Sequence, residues 1–346
     1  MTGNREAVMS THNADHASDP RELILPEACW PPDTPLSSEA IRGAQQHAVL
    51  ALQRFIADEQ LPQAYISLFP KLIIPMGAWL LREQQALGRP LVLGIGGSQG
   101  SGKTTLARGL RLALHHCFAV SSCILSLDDF YKPKEARGQL AAEVHPLLAT
   151  RGVPGTHDVG LLMETLEALA TADSQSITSI PAFDKGRDTR VAEEHFQQFQ
   201  GRPGIIFVEG WCLGARRESE AELAEPINAL EASEDRDGSW RHYVNEQLAG
   251  PYQALFRRFD RLFFFRAPDW DAVRRWRLRQ EAKLIQTRGD DYRGHLDEGD
   301  SFERFMAHYE RLTRQLLAQP PAADAILALD KQQRLANLTL TAPRHD

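Results

Sequence analysis

A three-layer α/β/α fold around a mostly parallel five-stranded sheet, preceded by a helical segment, is what this sequence predicts. Three observations carry that expectation. Continuous apolar runs such as LVLGI (residues 91–95), GIIFVEGW (204–211) and RLFFFRA (261–267) read as strands buried on both faces. Helical periodicities separate them, the alternation that yields a parallel sheet covered on both sides. A glycine-rich run, GGSQGSGKTT (96–105), lies between the first strand and the helix that follows it.

The elements follow in chain order. Residues 1–36 are polar without an apolar run and are expected to form a disordered tail. Residues 37–60 and 62–87 repeat Leu, Ile and Phe at three- and four-residue steps, so 37–89 is expected to be a helical segment. Gly88, Arg89 and Pro90 break it, and residues 90–346 are expected to form the main domain. After the strand at 91–95 come a helix at 104–118 and a strand at 123–131 that ends in acid. A helix at 158–170 opens on an Asp158 cap, and 176–181 is a brief strand. The strand at 204–211 also ends in acid. Residues 216–238 are rich in charge and are expected to be an insertion or flexible loop. Helices at 239–256, 271–288 and 302–319 and strands at 261–267 and 325–330 complete the chain.

Composition excludes several classes. The net charge of −7 over 346 residues gives no support to a nucleic-acid or membrane-surface partner, which usually shows a basic face. Cys29, Cys117, Cys123 and Cys212 share no metal or disulfide spacing and read as reduced, mostly buried thiols. The most apolar stretch, LIIPMGAWLL (72–81), is too short to cross a bilayer and carries a proline. A cytoplasmic monomer acting on a small molecule is expected.

Gly97, Ser98, Gln99, Gly100, Ser101, Gly102, Lys103 and Thr104 satisfy GxxxxGK[ST] with a strand before and a helix after, the context a phosphate loop requires. Its glycines let successive amides point inward at a phosphate, and the helix N-terminus, with Thr104 and Thr105 as nucleotide-binding candidates, adds to the attraction. Lys103 would reach the β- and γ-phosphates of a nucleoside triphosphate, and the Thr104 hydroxyl would take one position on Mg²⁺. A dinucleotide fingerprint begins at Gly94 and Gly96 but fails where Gln99 stands in place of its third glycine. NKxD and LSGGQ are both missing, so neither a GTPase nor an ABC-type ATPase is indicated.

Two acid-tipped strands point instead to a kinase. Asp128 and Asp129 in SLDDFY would lie in the crevice beside the triphosphate, to take a proton from an attacking hydroxyl or to hold Mg²⁺; the bland alternative is a turn-starting Asp pair. Glu209, after four apolar residues, occupies the place of an acid that helps hold Mg²⁺; the alternative is a strand-end charge facing water.

LDDFY and VEG resemble the DxFY and EG of the uridine kinase, phosphoribulokinase and pantothenate kinase group. The alignment makes Asp128 the catalytic acid. More narrowly, the chain resembles D-glycerate 3-kinases of the plant, fungal and bacterial type. The stretches YISLFPKLIIPMGAWL, GIGGSQGSGKTTL, LSLDDFY, RGVPGTHDVGLL, PAFDKGRDTR, FVEGWCLG, WRLRQE and FMAHYERL run in order from Tyr65 to Leu312. The resemblance implies an MgATP-dependent P-loop kinase that converts D-glycerate to 3-phosphoglycerate.

An acceptor of that kind needs a cation for its carboxylate and polar groups for its hydroxyls. Candidates are Asp184, Lys185, Arg187 and Arg190 in PAFDKGRDTR, with Tyr131, and Arg151, His157 and Asp158 around RGVPGTHD. A solvated charged hairpin and a simple helix cap are the alternatives for these two stretches. The basic helix within a lid region at 271–290 would bring Arg277 against the transferring phosphoryl group, unless its charges merely face solvent. The turn at 331–334 is expected near the adenine. Two other readings stay open: a P-loop kinase for pantothenate, a nucleoside or a sugar, and an ATP-binding regulatory protein that transfers nothing.

Overall fold

The computed structural model describes residues 36–288 and 299–341; residues 1–35 of the expected tail and the last two residues of the expected lid lie outside them. α1 (Ser38–Asp58) is capped by Ser37, whose hydroxyl accepts the Ala40 amide at 3.1 Å. The second expected helix is interrupted. α2 (Tyr65–Leu68) passes through a π turn at Phe69–Ile73 into α3 (Ile74–Leu87), where Pro70 and Pro75 lack the N–H that a regular ladder needs. Gly88, at φ 66°, ends it.

The central sheet has six strands: β1 (Leu91–Gly97), β2 (Ser122–Ser126), β7 (Ile205–Gly210), β8 (Arg261–Arg266), β9 (Ala325–Leu329) and β10 (Leu335–Leu340). Their order is β10-β9-β8-β1-β7-β2. The first five in chain order are parallel, and β10 pairs antiparallel with β9 as an added edge. Every residue of β1 and β7 is buried, which is why these strands read as unbroken apolar runs. α4 (Lys103–Phe118) packs on β1, β2 and β7, while α1 and α3 cover α4 in turn.

Two expectations are corrected. The brief strand at 176–181 forms as β3 (Ile177–Ile180) but leaves the main sheet to pair antiparallel with β6 (Gln197–Gln200). PAFDKGRDTR makes its own two-stranded hairpin, β4 (Phe183–Asp184) with β5 (Thr189–Arg190). The charged stretch at 216–238 is not a loose insertion. It holds α7 (Glu220–Leu223) and α8 (Ala229–Glu234), and two of its acids, Glu231 and Asp235, meet buried arginines. Arg311 bonds both oxygens of the fully buried Glu231 (2.8 and 2.6 Å), and Arg241 bonds the fully buried Asp235 (2.9 Å). Lone ions in that position would be strongly unfavourable.

α5 (Lys134–Glu143), α6 (Val159–Thr171), α9 (Ser239–Gln247), α10 (Gln253–Phe256), α11 (Trp270–Arg288) and α12 (Gly299–Ala318) complete the helices used below. Among the described residues, no helix is long and apolar enough to cross a membrane.

Candidate active site

β1 delivers the chain into the glycine-rich loop. Gly97, Gly100 and Gly102 take φ values of 142°, 71° and 97°, which side chains strain to adopt. A Cβ on Gly97 would stand 2.7 Å from Phe265 Cβ, and one on Gly100 would stand 2.9 Å from Trp276 Cβ. The loop is therefore pressed between β8 and α11. Its curl buries Ser98, Ser101 and Lys103. Ser98 Oγ, Gln99 Oε1 and Ser101 Oγ have no hydrogen-bond partner among the described residues. Lys103 Nζ donates to Ser98 O at 2.9 Å, and burial lowers its pKa against the opposing charges of Glu209 and Asp128. Buried hydroxyls and an ammonium without full partners, at the start of α4, suit an anion with several oxygens.

Glu209 lies on β7 beside Ser126 of β2 in register. Its Oε1 accepts Ser126 Oγ at 2.7 Å and Thr104 Oγ1 at 3.1 Å. Hard oxygens meeting beside a phosphate cradle fit Mg²⁺, which takes much of its shell from phosphate and water and needs no protein cage. No such cage of three or more His, Cys, Asp or Glu side chains is found among the described residues.

The strand expected at 123–131 stops at Ser126. Asp128 and Asp129 sit on the 3₁₀ turn Leu127–Phe130 that follows it. That turn is bonded to the THD turn: Asp158 N donates to Phe130 O at 2.7 Å, and Lys132 N to Thr156 O at 2.9 Å. Around it, Tyr131 Oη donates to Asp128 Oδ1 at 3.3 Å, and Lys185 Nζ to Asp128 Oδ2 at 2.7 Å. Burial works to raise the Asp128 carboxyl, but the surrounding groups, Lys185 first among them, together outweigh it and hold the carboxyl far below the usual range. Asp129 behaves oppositely: burial pushes it up to about 6, and its Oδ1 meets only the distant amide of Phe183 at 3.4 Å in the bonds observed.

His157 stacks on Tyr131, with ring centroids 4.2 Å apart, and its Nδ1 meets Tyr252 Oη at 2.6 Å. Burial lowers its pKa to about 3. Arg190 donates to Asp158 Oδ2 at 3.0 Å and to Tyr131 O at 3.2 Å, leaving a buried Nε without a partner among the described residues. Arg151 pairs with Asp188 and lies over the Phe183 ring.

Three predicted residues are placed differently from expectation. Asp184 makes the hairpin turn, with Oδ1 accepting the amides of Gly186 (2.9 Å) and Arg187 (3.1 Å). Arg187 is 85% exposed at the hairpin tip. Arg277, on α11, pairs with the fully buried Glu281, lies 5.3 Å from the Phe305 centroid and keeps a buried Nε without a partner among the described residues. Trp276 beside it is buried against Gly100, which fixes this part of the helix to the loop.

Sequence reasoning missed Ser126, Arg137 and Tyr252. Arg137 is 1% exposed and donates to Lys132 O, Ala149 O and Asp188 O, with a further contact of 2.7 Å to Asp188 Oδ2. It ties the acceptor-side hairpin to the DDFY turn, yet nothing in the local sequence KEARGQL signals it. On the opposite side of the loop, a cavity of about 700 Å³ is lined by Ser101, Thr105, Arg279, Gln333 and Arg334, with residues of α2 and its π turn forming its far wall. Gln333 Nε2 there donates to Gly100 O at 2.6 Å.

A mostly parallel sheet with a phosphate cradle after β1, a carboxylate on the adjoining β7 and another just beyond β2 defines a P-loop kinase. Over 256 residues the chain is 31% identical to the chloroplastic D-glycerate 3-kinase of Arabidopsis thaliana, covering 70% of this chain and 52% of that one. Over 220 residues it is 34% identical to the uncharacterized kinase mug58 of Schizosaccharomyces pombe, covering 60% of this chain and 75% of that one. The chain thus spans about half the length of the plant relative. A D-glycerate 3-kinase structure from Cryptococcus neoformans shares the fold at TM-score 0.63 and 24% identity, over 78% of this chain and 99% of that chain. The YGR205w protein does so at 0.59 and 24%, over 79% and 99%. No protein-family model matches the sequence. The chain belongs to the kinase family of its Schizosaccharomyces pombe relative and is similar to the plant D-glycerate 3-kinase.

Proposed function

We propose that this chain transfers the γ-phosphoryl group of MgATP to a hydroxyl of a small hydroxy acid, with D-glycerate as acceptor and its 3-hydroxyl as the attacking group. One observation carries the reading: Asp128 is held ionised by Lys185 at 2.7 Å, next to a cluster of cationic and hydrogen-bonding groups. Lys185 keeps the carboxylate unprotonated, and an acceptor that displaces the lysine would restore its basicity.

Lys103, the loop amides and the hydroxyls of Ser98 and Ser101 would hold the phosphates. Thr104 and Glu209 would hold Mg²⁺, oriented by Ser126; Asp128 is a second candidate ligand. Bound there, the metal supplies charge neutralisation on the phosphate oxygens. Asp128 accepts the proton of the acceptor hydroxyl as its oxygen forms the new bond to phosphorus and the bond to the leaving ADP oxygen breaks. Arg190, through its unpartnered Nε, and Arg151 suit the acceptor carboxylate. The cavity beside Gln333 and Arg279 supports a place for the adenine near the turn at 331–334.

The test is ADP release measured with a panel of acceptors. D-Glycerate should stimulate it while L-glycerate, uridine and pantothenate do not. Stimulation by another acceptor alone would keep the kinase and replace the substrate. Tight ATP binding without stimulation by any acceptor would contradict phosphoryl transfer.

A further inference from the structure

We infer that Tyr252 fixes which nitrogen of His157 carries the proton, so that His157 meets the acceptor as an Nε2–H donor to one of its oxygens and not as a base. The inference rests on the acceptor pocket proposed above and assigns it a positioning residue that lies almost a hundred positions along the chain.

The direction of each hydrogen bond follows from counting protons. The Gly155 amide donates to Tyr252 Oη at 3.2 Å, and that same oxygen stands 2.6 Å from His157 Nδ1. An amide can only donate, so one lone pair of the tyrosine oxygen is taken. If Nδ1 also donated, the oxygen would receive two N–H groups and its own hydrogen would have no acceptor among the described residues, in a side chain with no solvent exposure. If the hydroxyl donates to Nδ1, all three groups are satisfied. The ring is 2% exposed and neutral, so its single hydrogen then lies on Nε2.

Nε2 is buried and has no hydrogen-bond partner among the described residues. The ring is not free to turn away and find one. It stacks on Tyr131 at 4.2 Å and an interplanar angle of 22°, and its backbone forms a β-bridge with Tyr131. The turn before it is closed by Thr156, whose hydroxyl donates to Val153 O at 2.7 Å and accepts the Gly152 amide at 3.1 Å. Of the neighbouring charges, that of Asp128 acts on the ring most, and Tyr131 touches both groups. A rigid, unsatisfied N–H beside the candidate catalytic carboxylate calls for an oxygen supplied by a ligand. A carboxylate or hydroxyl oxygen of a small hydroxy acid has that chemistry.

The experiment has two arms on the full chain. First, ¹⁵N spectra of histidine-labelled, ligand-free protein should show His157 with a bare Nδ1 and a protonated Nε2; Tyr252→Phe should lose this single tautomer. Second, Tyr252→Phe should raise the KM for D-glycerate ~10-fold while the KM for ATP stays within about twofold, the split expected of a lost acceptor contact. His157→Gln, which keeps an N–H donor, should retain more acceptor affinity than His157→Ala. An Nδ1–H tautomer in the wild type, or unchanged spectra and KM in Tyr252→Phe, would overturn the inference. Unchanged ATP affinity in the variant guards against misfolding. If wild-type protein does not use D-glycerate, the proposed function fails by itself, and the spectra still decide the tautomer.

Discussion

Lys185 Nζ lies 2.7 Å from Asp128 Oδ2, so the carboxylate assigned to the acceptor hydroxyl carries its counter-ion from the hairpin made by PAFDKGRDTR. The two residues are 57 positions apart, and the pair joins the acceptor side of the site to the strand-tip turn. Both groups keep some solvent access, at 45% and 35% of the side chain, so an entering acceptor can displace the lysine.

Removing that ammonium should change the pH dependence in a definite direction. Lys185 depresses the Asp128 carboxyl while burial raises it. In Lys185→Gln the foremost lowering influence is lost while burial still raises the carboxyl, so protonation begins at higher pH. The acid limb of the kcat/KM profile should therefore move upward, with the variant losing activity at mildly acidic pH where the wild type does not. A pH–rate series on both proteins checks this, and superimposable acid limbs would remove Lys185 from the role.

The phosphate loop has no room for a side chain at Gly100. Its φ is 71°, and an added Cβ would come within 2.9 Å of Trp276 Cβ. Gly100→Ala should distort the cradle and weaken ATP binding at least ~10-fold, since strained backbone costs of order 1–3 kcal/mol. Calorimetric titration with ATP measures it directly. An unaltered affinity would mean that α11 yields easily and does not brace the loop.

Arg311 should prove structural. It is 8% exposed and neutralises Glu231, which has no exposure at all. Arg311→Met would leave that carboxylate buried without its cation, a loss of about 3–5 kcal/mol. Denaturant melts should show it as a lowered midpoint. A melt indistinguishable from wild type would show that the 216–238 stretch contributes little to the fold.

The parallel sheet, the loop and the strand-tip acids were legible in the sequence because each is a local pattern. Burial on both faces writes itself as unbroken hydrophobicity in Ile205 to Val208, and the loop chemistry needs glycine at fixed spacing. What stayed hidden depends on long-range pairing. Residues 216–238 read as an insertion or flexible loop because the arginines that neutralise Asp235 and Glu231, Arg241 and Arg311, come later in the chain. β10 alternates weakly (LANLTL) and is recognisable only as the partner of β9. Arg137 and Tyr252 hold the acceptor side from positions with no motif around them. Arg277 sat within a matching stretch, yet its charge goes to Glu281, one helical turn on.

The central claim is that Asp128 serves an acceptor hydroxyl opposite the phosphate loop. Asp128→Asn keeps the shape of the side chain and removes its basicity. Turnover of the variant, measured together with its affinity for ATP, tests the claim most directly. We predict that ATP affinity stays nearly intact while kcat falls by ~10²-fold or more, the scale of a lost general base. An unchanged kcat would contradict the account.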